Sequence, residues 1–164
     1  MDALGVDMGG VIIARMGAKS GTSFYGDNFL KTPSLPGVFD ALARLVREKF
    51  GDRVYLVSMC GQKTQEKSMA WLHHNRFFDL TGISPYHVRF CRERSGKAPI
   101  ATELALTHFV DDSPEVQGYL VDVAHRYLFQ PREQDLSRYA HALNGLCVVQ
   151  SWDEVCSIIL GADA

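Results

Sequence analysis

Short apolar runs alternate along this chain with longer segments in which apolar residues recur at helical spacing. Six runs have the length and flanking turn residues of single strands. They are ALGVDM (3–8), RVYLVSM (53–59), HVRFC (87–91), THFVDD (107–112), HRYLFQ (125–130) and GLCVVQ (145–150). Strands that alternate with helices form parallel sheets covered on both faces. The pattern therefore predicts an α/β fold, a three-layer α/β/α sandwich around a mainly parallel, Rossmann-like sheet.

The segments between these runs predict helices, of which the first covers residues 36–50. There Val38, Leu42 and Leu45 fall on one helical stripe, after a Pro-Gly entry. The others are TQEKSMAWLHHNRFFDL (64–80), KAPIATELAL (97–106), SPEVQGYLVDVA (113–124) and SWDEVCSIIL (151–160). Strand and helix thus alternate almost to the C-terminus.

Residues 14–37 interrupt the alternation, since they are rich in Gly, Ser and Thr and lack the apolar periodicity of a core helix. We predict a flap or loop insertion there, over one edge of the sheet. Between the second and third predicted strands there is room for little more than one helix and a turn. A cap domain is therefore not expected at that point.

Composition narrows the class of protein further. The 164 residues, 46% hydrophobic and 22% charged, suffice for one sizeable core, so residues 1–164 are predicted to form a single domain. A formal net charge of -2 gives no overall field for nucleic acid or an anionic membrane. The four cysteines form no CxxC pair, which favours a reducing compartment. Without a signal peptide or membrane-spanning stretch, a cytoplasmic location is expected.

Polar side chains stand at the ends of three predicted strands. Asp7 follows LGV, Ser58 follows VYLV, Asp111 and Asp112 follow HFV, and Lys97 opens the helix leading to that acidic pair. Ligands of open α/β sheets bind outside these strand ends. Carboxylates brought together there repel each other unless a cation or proton compensates, and Mg²⁺ prefers oxygen ligands. The pattern indicates a Mg²⁺ site beside an anion bound by Ser58 and Lys97.

Several of these residues have other interpretations. Lys63, in SMCGQK after the second strand, is an alternative to Lys97 for the same pocket. An N-cap role before SPEV would explain at most one of Asp111 and Asp112, which leaves the other to be explained by the metal. The basic segment RFCRERSGK (89–97) either steers an anionic substrate or is a solvated turn.

The ordered set of Asp7 with Gly10-Val11, Ser58, Lys97 and Asp111-Asp112 resembles the four motifs of the haloacid dehalogenase (HAD) superfamily, whose members are mostly Mg²⁺-dependent phosphohydrolases. The resemblance spans about residues 4 to 160. Each motif is weak alone, but their order and their placement at strand ends make the set specific. The resemblance implies a HAD-like fold, here capless or minimally capped.

The resemblance also implies a role for each matched residue. Asp7 would be the nucleophile that attacks phosphorus and becomes an aspartyl phosphate. Ser58 would bind a phosphoryl oxygen, as would the backbone at Met8 and Gly9. Lys97 would neutralise charge on the phosphate and on Asp7.

The metal would be Mg²⁺, held by Asp7, Asp111, Asp112 and the backbone carbonyl of Gly9. The partner would be a phosphorylated small molecule or macromolecule. An oligomer is compatible with the resemblance, because family members without a cap leave the site open or borrow a lid from another subunit.

Gly9 departs from the family pattern, because phosphatases of the family usually carry a second Asp at this position. That Asp protonates the leaving group and activates water, a contribution of roughly 10²- to 10⁴-fold that glycine cannot make. Either the protein is a phosphohydrolase or phosphotransferase of reduced or specialised activity, or it is a catalytically degenerate domain that binds a phosphorylated ligand or protein partner. An active enzyme would need a substrate with a good leaving group or another proton donor, or it would belong to a branch with altered chemistry, since superfamily members that process phosphonates or haloacids also lack this second Asp. The candidate donors are His73, His74, Lys19 and Arg15.

Overall fold

The computed structural model describes residues 1–15, 26–139 and 144–161. Within them lies one parallel sheet of six strands in the order β3-β2-β1-β4-β5-β6. The strands are β1 Leu4–Val6, β2 Val54–Met59, β3 Val88–Cys91, β4 His108–Asp111, β5 His125–Phe129 and β6 Leu146–Val149. All six predicted strands are present, and the predicted α/β/α class is confirmed.

Helices cover both faces of the sheet. The helices are α1 Val38–Leu45, continued by a π-helical turn Val46–Phe50, α2 Gln62–His74, α3 Phe77–Thr81, α4 Lys97–Glu103, α5 Pro114–Tyr119, α6 Glu133–Arg138 and α7 Trp152–Gly161. On one face, α1 contacts α3 and α7, and α2 contacts α3. On the other face, α4 packs against α5.

Each face has its own hydrophobic core, and β1 contributes to both. Leu4 and Val6 are fully buried in the larger core, beneath α1, α2 and α7. Gly5 faces the smaller core, where a Cβ would lie 2.6 Å from side-chain atoms of Leu106 and Phe109. The central strand is therefore packed so tightly on that face that only glycine fits between the neighbouring side chains.

The helix predicted over residues 64–80 is wrong as a single element, because the structure has two helices there. Asn75 ends α2 with its side-chain amide donating to the carbonyl of Trp71 at 2.9 Å. Arg76 then adopts the left-handed region at φ 54°, which turns the chain and places Phe77 in the core. The Trp71 carbonyl also accepts the backbone N–H of Asn75 at 3.0 Å, so Asn75 closes the last turn of α2 with both its main chain and its side chain.

Three other helices also differ from the sequence pattern. Two predicted helices end early: α4 ends at Glu103, before the left-handed residue Ala105 at φ 51°, and α5 ends at Tyr119. Helix α6 was not predicted, because none of its residues is buried and no apolar stripe marks it.

The predicted insertion at residues 14–37 includes residues 16–25, which lie outside the described part of the chain. Its two ends are joined beside β1. Ala14 N–H donates to Pro33 O at 2.9 Å, Leu35 N–H donates to Ile12 O at 2.8 Å, and Ile13 forms an antiparallel bridge with Ser34. The base of the insertion is thus held next to the residues that follow Asp7. No described helix is both long enough and apolar enough to span a membrane.

Candidate functional site

The direction of strand order in the sheet changes between β1 and β4. From β1 the chain adds β2 and β3 on one side of β1, and it then returns to add β4 on the other side. The carboxyl ends of β1 and β4 therefore form a topological switch point. Asp7 follows β1 directly, and its N–H donates to Val110 O at 2.9 Å. Asp111 ends β4 and Asp112 follows it. One carboxylate oxygen from each of the three aspartates lies within 4.8 Å of the others.

Lys97 joins two of these carboxylates from the first residue of α4. Its Nζ donates to Asp7 Oδ1 at 2.9 Å and to Asp111 Oδ2 at 2.8 Å, and its side chain is only 3% exposed. Burial alone would lower the pKa of Lys97, but the two carboxylates outweigh burial and raise it. Lys97 therefore stays charged. Lys63, the alternative, is exposed in the first turn of α2.

Full ionisation of the acidic pair is unfavourable in its surroundings, and the pKa values of both groups are raised. Burial, then the charge of Asp7, raises the pKa of Asp111 to about 6 although Lys97 opposes this. Burial and the charges of Asp7 and Asp111 raise the pKa of Asp112 to about 8, against the opposing charge of Arg15. Three carboxylates thus contact two cationic side chains, an arrangement that favours one more cation.

The N-cap interpretation of the acidic pair is wrong. Helix α5 is capped by Ser113, whose Oγ accepts a hydrogen bond from Val116 N–H at 3.2 Å. Asp111 instead accepts the Ser113 N–H on Oδ1 at 2.9 Å, while its other oxygen binds Lys97. Neither acid is therefore the N-cap of α5: Asp111 divides its two oxygens between the Ser113 N–H and Lys97, and Asp112 pairs with Arg15.

A tight turn follows Asp7. The carbonyl of Met8 accepts from the N–H groups of Ile12 and Ile13 at 2.8 and 3.0 Å, and Gly10 N–H donates to Ile13 O at 2.8 Å. These bonds form a bridge between the Gly9 and Ile13 positions, but the N–H and carbonyl of Gly9 take no part in it. The Met8 side chain is buried in the core, so only its backbone is available to a ligand.

The two glycines of this turn have different surroundings. Gly10 has φ +80°, and a Cβ there would overlap the carboxylate of Asp112 and lie 2.7 Å from Arg15 Nε. Glycine at position 10 therefore permits the close approach of Asp112. At Gly9, which is exposed, a Cβ would have no atom within 4 Å.

Ser58 lies on β2, the strand beside β1, at the carboxyl edge of the sheet. It is buried, and its hydroxyl lies within hydrogen-bond reach of the Cys60 thiol, whose pKa is raised by burial. Since Val6 pairs with Leu56, Ser58 stands level with Met8, next to the turn. The structure therefore places Ser58 at the same edge as the carboxylates.

The four candidate proton donors differ in whether they reach the carboxylate cluster. His73 and His74 are exposed in the last turn of α2, roughly 16 Å along the helix from its start at the carboxyl edge, by the helical rise of 1.5 Å per residue. Lys19 lies outside the described residues. Arg15, in contrast, reaches the cluster, with one guanidinium nitrogen 3.0 Å from Asp112 Oδ2. The sequence placed Arg15 only in a loop, and no signal marked this ion pair.

Comparison with known proteins identifies the fold. No protein-family model and no curated protein sequence matches the chain. A HAD family hydrolase from Deinococcus radiodurans R1, with bound phosphate and sodium, aligns over 99% of this chain and 96% of its own at 11% identity, with a TM-score of 0.67. A haloacid dehalogenase-like family hydrolase from Xanthomonas campestris aligns over 99% and 96% at 13% identity, with a TM-score of 0.62.

A conserved haloacid dehalogenase-like protein of unknown function from Agrobacterium tumefaciens aligns over 99% of both chains at 11% identity, with a TM-score of 0.62. At identities this low, the likeness establishes architecture rather than activity. The chain has a HAD-like fold.

Proposed function

We propose that this protein is a Mg²⁺-dependent HAD-type phosphohydrolase or phosphotransferase that acts through an aspartyl phosphate on Asp7. The observation that carries the proposal is the buried lysine at the switch point, where Lys97 joins Asp7 to Asp111 with Asp112 beside them. Burying several charges is costly, and clustered carboxylates with raised pKa values are typical of functional sites. The HAD-like fold of the chain supports the same reading.

The donor set fits a hard divalent cation. Oxygens of Asp7, Asp111 and Asp112 lie within 4.8 Å of one another, and the carbonyl of Gly9 is outside the bridge formed by its neighbours. All are oxygen donors, which Mg²⁺ prefers, and an incomplete protein shell is usual for this ion. When bound, Mg²⁺ would neutralise negative charge on the transferring phosphoryl group.

The side chains around the cation do the rest of the chemistry. Lys97 holds Asp7 by Oδ1, so the carboxylate is oriented for attack on phosphorus. Ser58 and the N–H groups of Met8 and Gly9 bind the phosphoryl oxygens. Because position 9 offers no acid, the leaving group departs without a proton from that side, and activity is reduced or specialised. We further propose that the domain is capless or minimally capped, which would leave the site open to a phosphorylated small molecule or macromolecule.

Phosphate release from a panel of phosphate esters, acyl phosphates and anhydrides, with and without Mg²⁺, tests the proposal. We expect Mg²⁺-dependent release that Asp7→Asn abolishes, and a phosphoryl group on the acid-quenched wild type by intact mass. Asp52→Asn is the matched control, since the Asp52 side chain is 90% exposed. Phosphate release that survives in Asp7→Asn would refute Asp7 as the nucleophile.

The surroundings of Gly9 favour a second candidate, a catalytically degenerate domain that binds a phosphorylated ligand or partner. No side chain of the described chain fills the place of the missing acid at that turn. For this candidate we expect Mg²⁺ and inorganic phosphate to bind while no compound in the panel is turned over.

A further inference from the structure

A cationic side chain, Arg15, lies next to the turn position at which a proton donor is missing. Beside Gly9 the space is open, but Arg15 lies over the next residue, its Nε 2.7 Å from where a Cβ of Gly10 would be. Its guanidinium also lies 3.0 Å from Asp112, and its side chain is 66% exposed. Arg15 therefore contacts the carboxylate cluster and is also exposed at the open side of the turn.

An arginine beside the turn, with no acid at position 9, changes which leaving groups can depart. A guanidinium stays protonated in proteins, so Arg15 cannot act as a general acid. It presents paired N–H donors that match phosphate oxygens and neutralise their charge. An alkoxide released from an ester of an alcohol is a strong base and needs a proton. A phosphate released from an anhydride is a stable anion and needs only charge neutralisation.

We propose, building on the function above, that the substrate is a phosphoric anhydride and that Arg15 binds the leaving phosphate. A carboxylate oxygen of Asp7 bonds to the terminal phosphorus as the bond from phosphorus to the bridging oxygen breaks. The electron pair stays on the leaving phosphate, beside Arg15. Water then takes the phosphoryl group from Asp7, releases one proton to solvent and restores the carboxylate.

Arg15 can exchange partners at little cost. Its ion pair with Asp112 is made by a largely exposed arginine, and such pairs contribute about 0–1 kcal/mol. A cation bound by the carboxylates would replace Arg15 as the partner of Asp112. The guanidinium would then be free to bind a phosphate that enters over Gly9 and Gly10.

The test compares inorganic pyrophosphate with glycerol 3-phosphate, both with Mg²⁺, in the wild type and in Arg15→Gln. The matched control is Arg44→Gln, because Arg44 on α1 is also exposed and pairs at 2.6 Å with Glu48 of the π-helical turn that follows. The first readout is kcat/KM for phosphate release. The second is calorimetric binding of both compounds in an Asp7→Asn background, where no transfer occurs.

We expect kcat/KM to favour pyrophosphate by about 10²- to 10⁴-fold, the contribution of the missing acid. Arg15→Gln should lower kcat/KM for pyrophosphate and weaken its binding by about 10- to 100-fold, as for a charge-assisted hydrogen bond. Arg44→Gln should match the wild type. Equal efficiency on both compounds, or an Arg15 variant that matches the Arg44 variant, overturns the proposal.

Failure of the proposed function has a different signature. If no compound is turned over, that function is refuted and the binding readout alone decides the ligand class. A preference for pyrophosphate that disappears in Arg15→Gln then supports recognition of an anhydride. Equal binding of the two compounds overturns it.

Discussion

Replacing Asp112 by asparagine should stabilise the metal-free protein, although it damages the site. Burial and the charges of Asp7 and Asp111 raise the pKa of Asp112 from 3.8 to about 8. At pH 7 this group is ionised in the unfolded chain but resists ionisation in the folded one. Roughly three pH units separate pH 7 from the pKa of Asp112 in the unfolded chain. At about 1.36 kcal/mol per unit, this difference lowers the free energy of unfolding by about 4 kcal/mol. Loss of the exposed Arg15 ion pair offsets at most about 1 kcal/mol.

We therefore expect Asp112→Asn to raise the free energy of unfolding by about 3 kcal/mol at pH 7. Because the folded pKa is raised, the folded state binds more protons between about pH 4 and 8, and wild-type stability falls as pH rises through that window. The difference between variant and wild type should be small near pH 4 and complete near pH 8. Urea denaturation in chelator at several pH values measures it, with Asp52→Asn as the control.

Mg²⁺ should change this comparison. A ligand that binds only the folded state stabilises it by mass action, so Mg²⁺ should stabilise the wild type far more than Asp112→Asn. A variant that is less stable than the wild type in chelator at pH 7, or that keeps the wild-type pH slope, would refute the reasoning. So would an equal Mg²⁺ response in both proteins.

Three further predictions concern the turn, the lysine and the central strand. Gly9→Asp should gain hydrolysis of glycerol 3-phosphate without loss of stability, because a Cβ there meets no atom within 4 Å; no gain in a folded, Mg²⁺-binding variant would contradict the missing-acid explanation. Lys97→Met should lower the free energy of unfolding by about 3 kcal/mol, since it leaves Asp7 and Asp111 buried without their cation; a neutral effect by urea denaturation would count against it. Gly5→Ala should cost about 1–3 kcal/mol through overpacking, and unchanged thermal unfolding would show that the core yields.

Alternation of apolar and polar residues sufficed to predict the sheet and the edge where the site lies. The spacing of apolar residues along a strand or helix indicates which of its faces is buried, and this spacing is a local property of the sequence. Asp7, Ser58 and Asp111 could be placed at that edge because each stands at a strand end. The break between α2 and α3 depends on one side-chain hydrogen bond and one left-handed residue, and periodicity does not report either.

The sequence by itself determined the class of fold, the run of strand ends and the absence of an acid at position 9. Only the tertiary structure decided which charges meet. Lys97 joins Asp7 across 90 residues of chain, and Arg15 reaches Asp112 although nothing in its neighbourhood marks it. Such contacts depend on the order of strands in the sheet and on how the ends of the insertion close beside β1. Local patterns carry neither, because both arise from packing between distant segments.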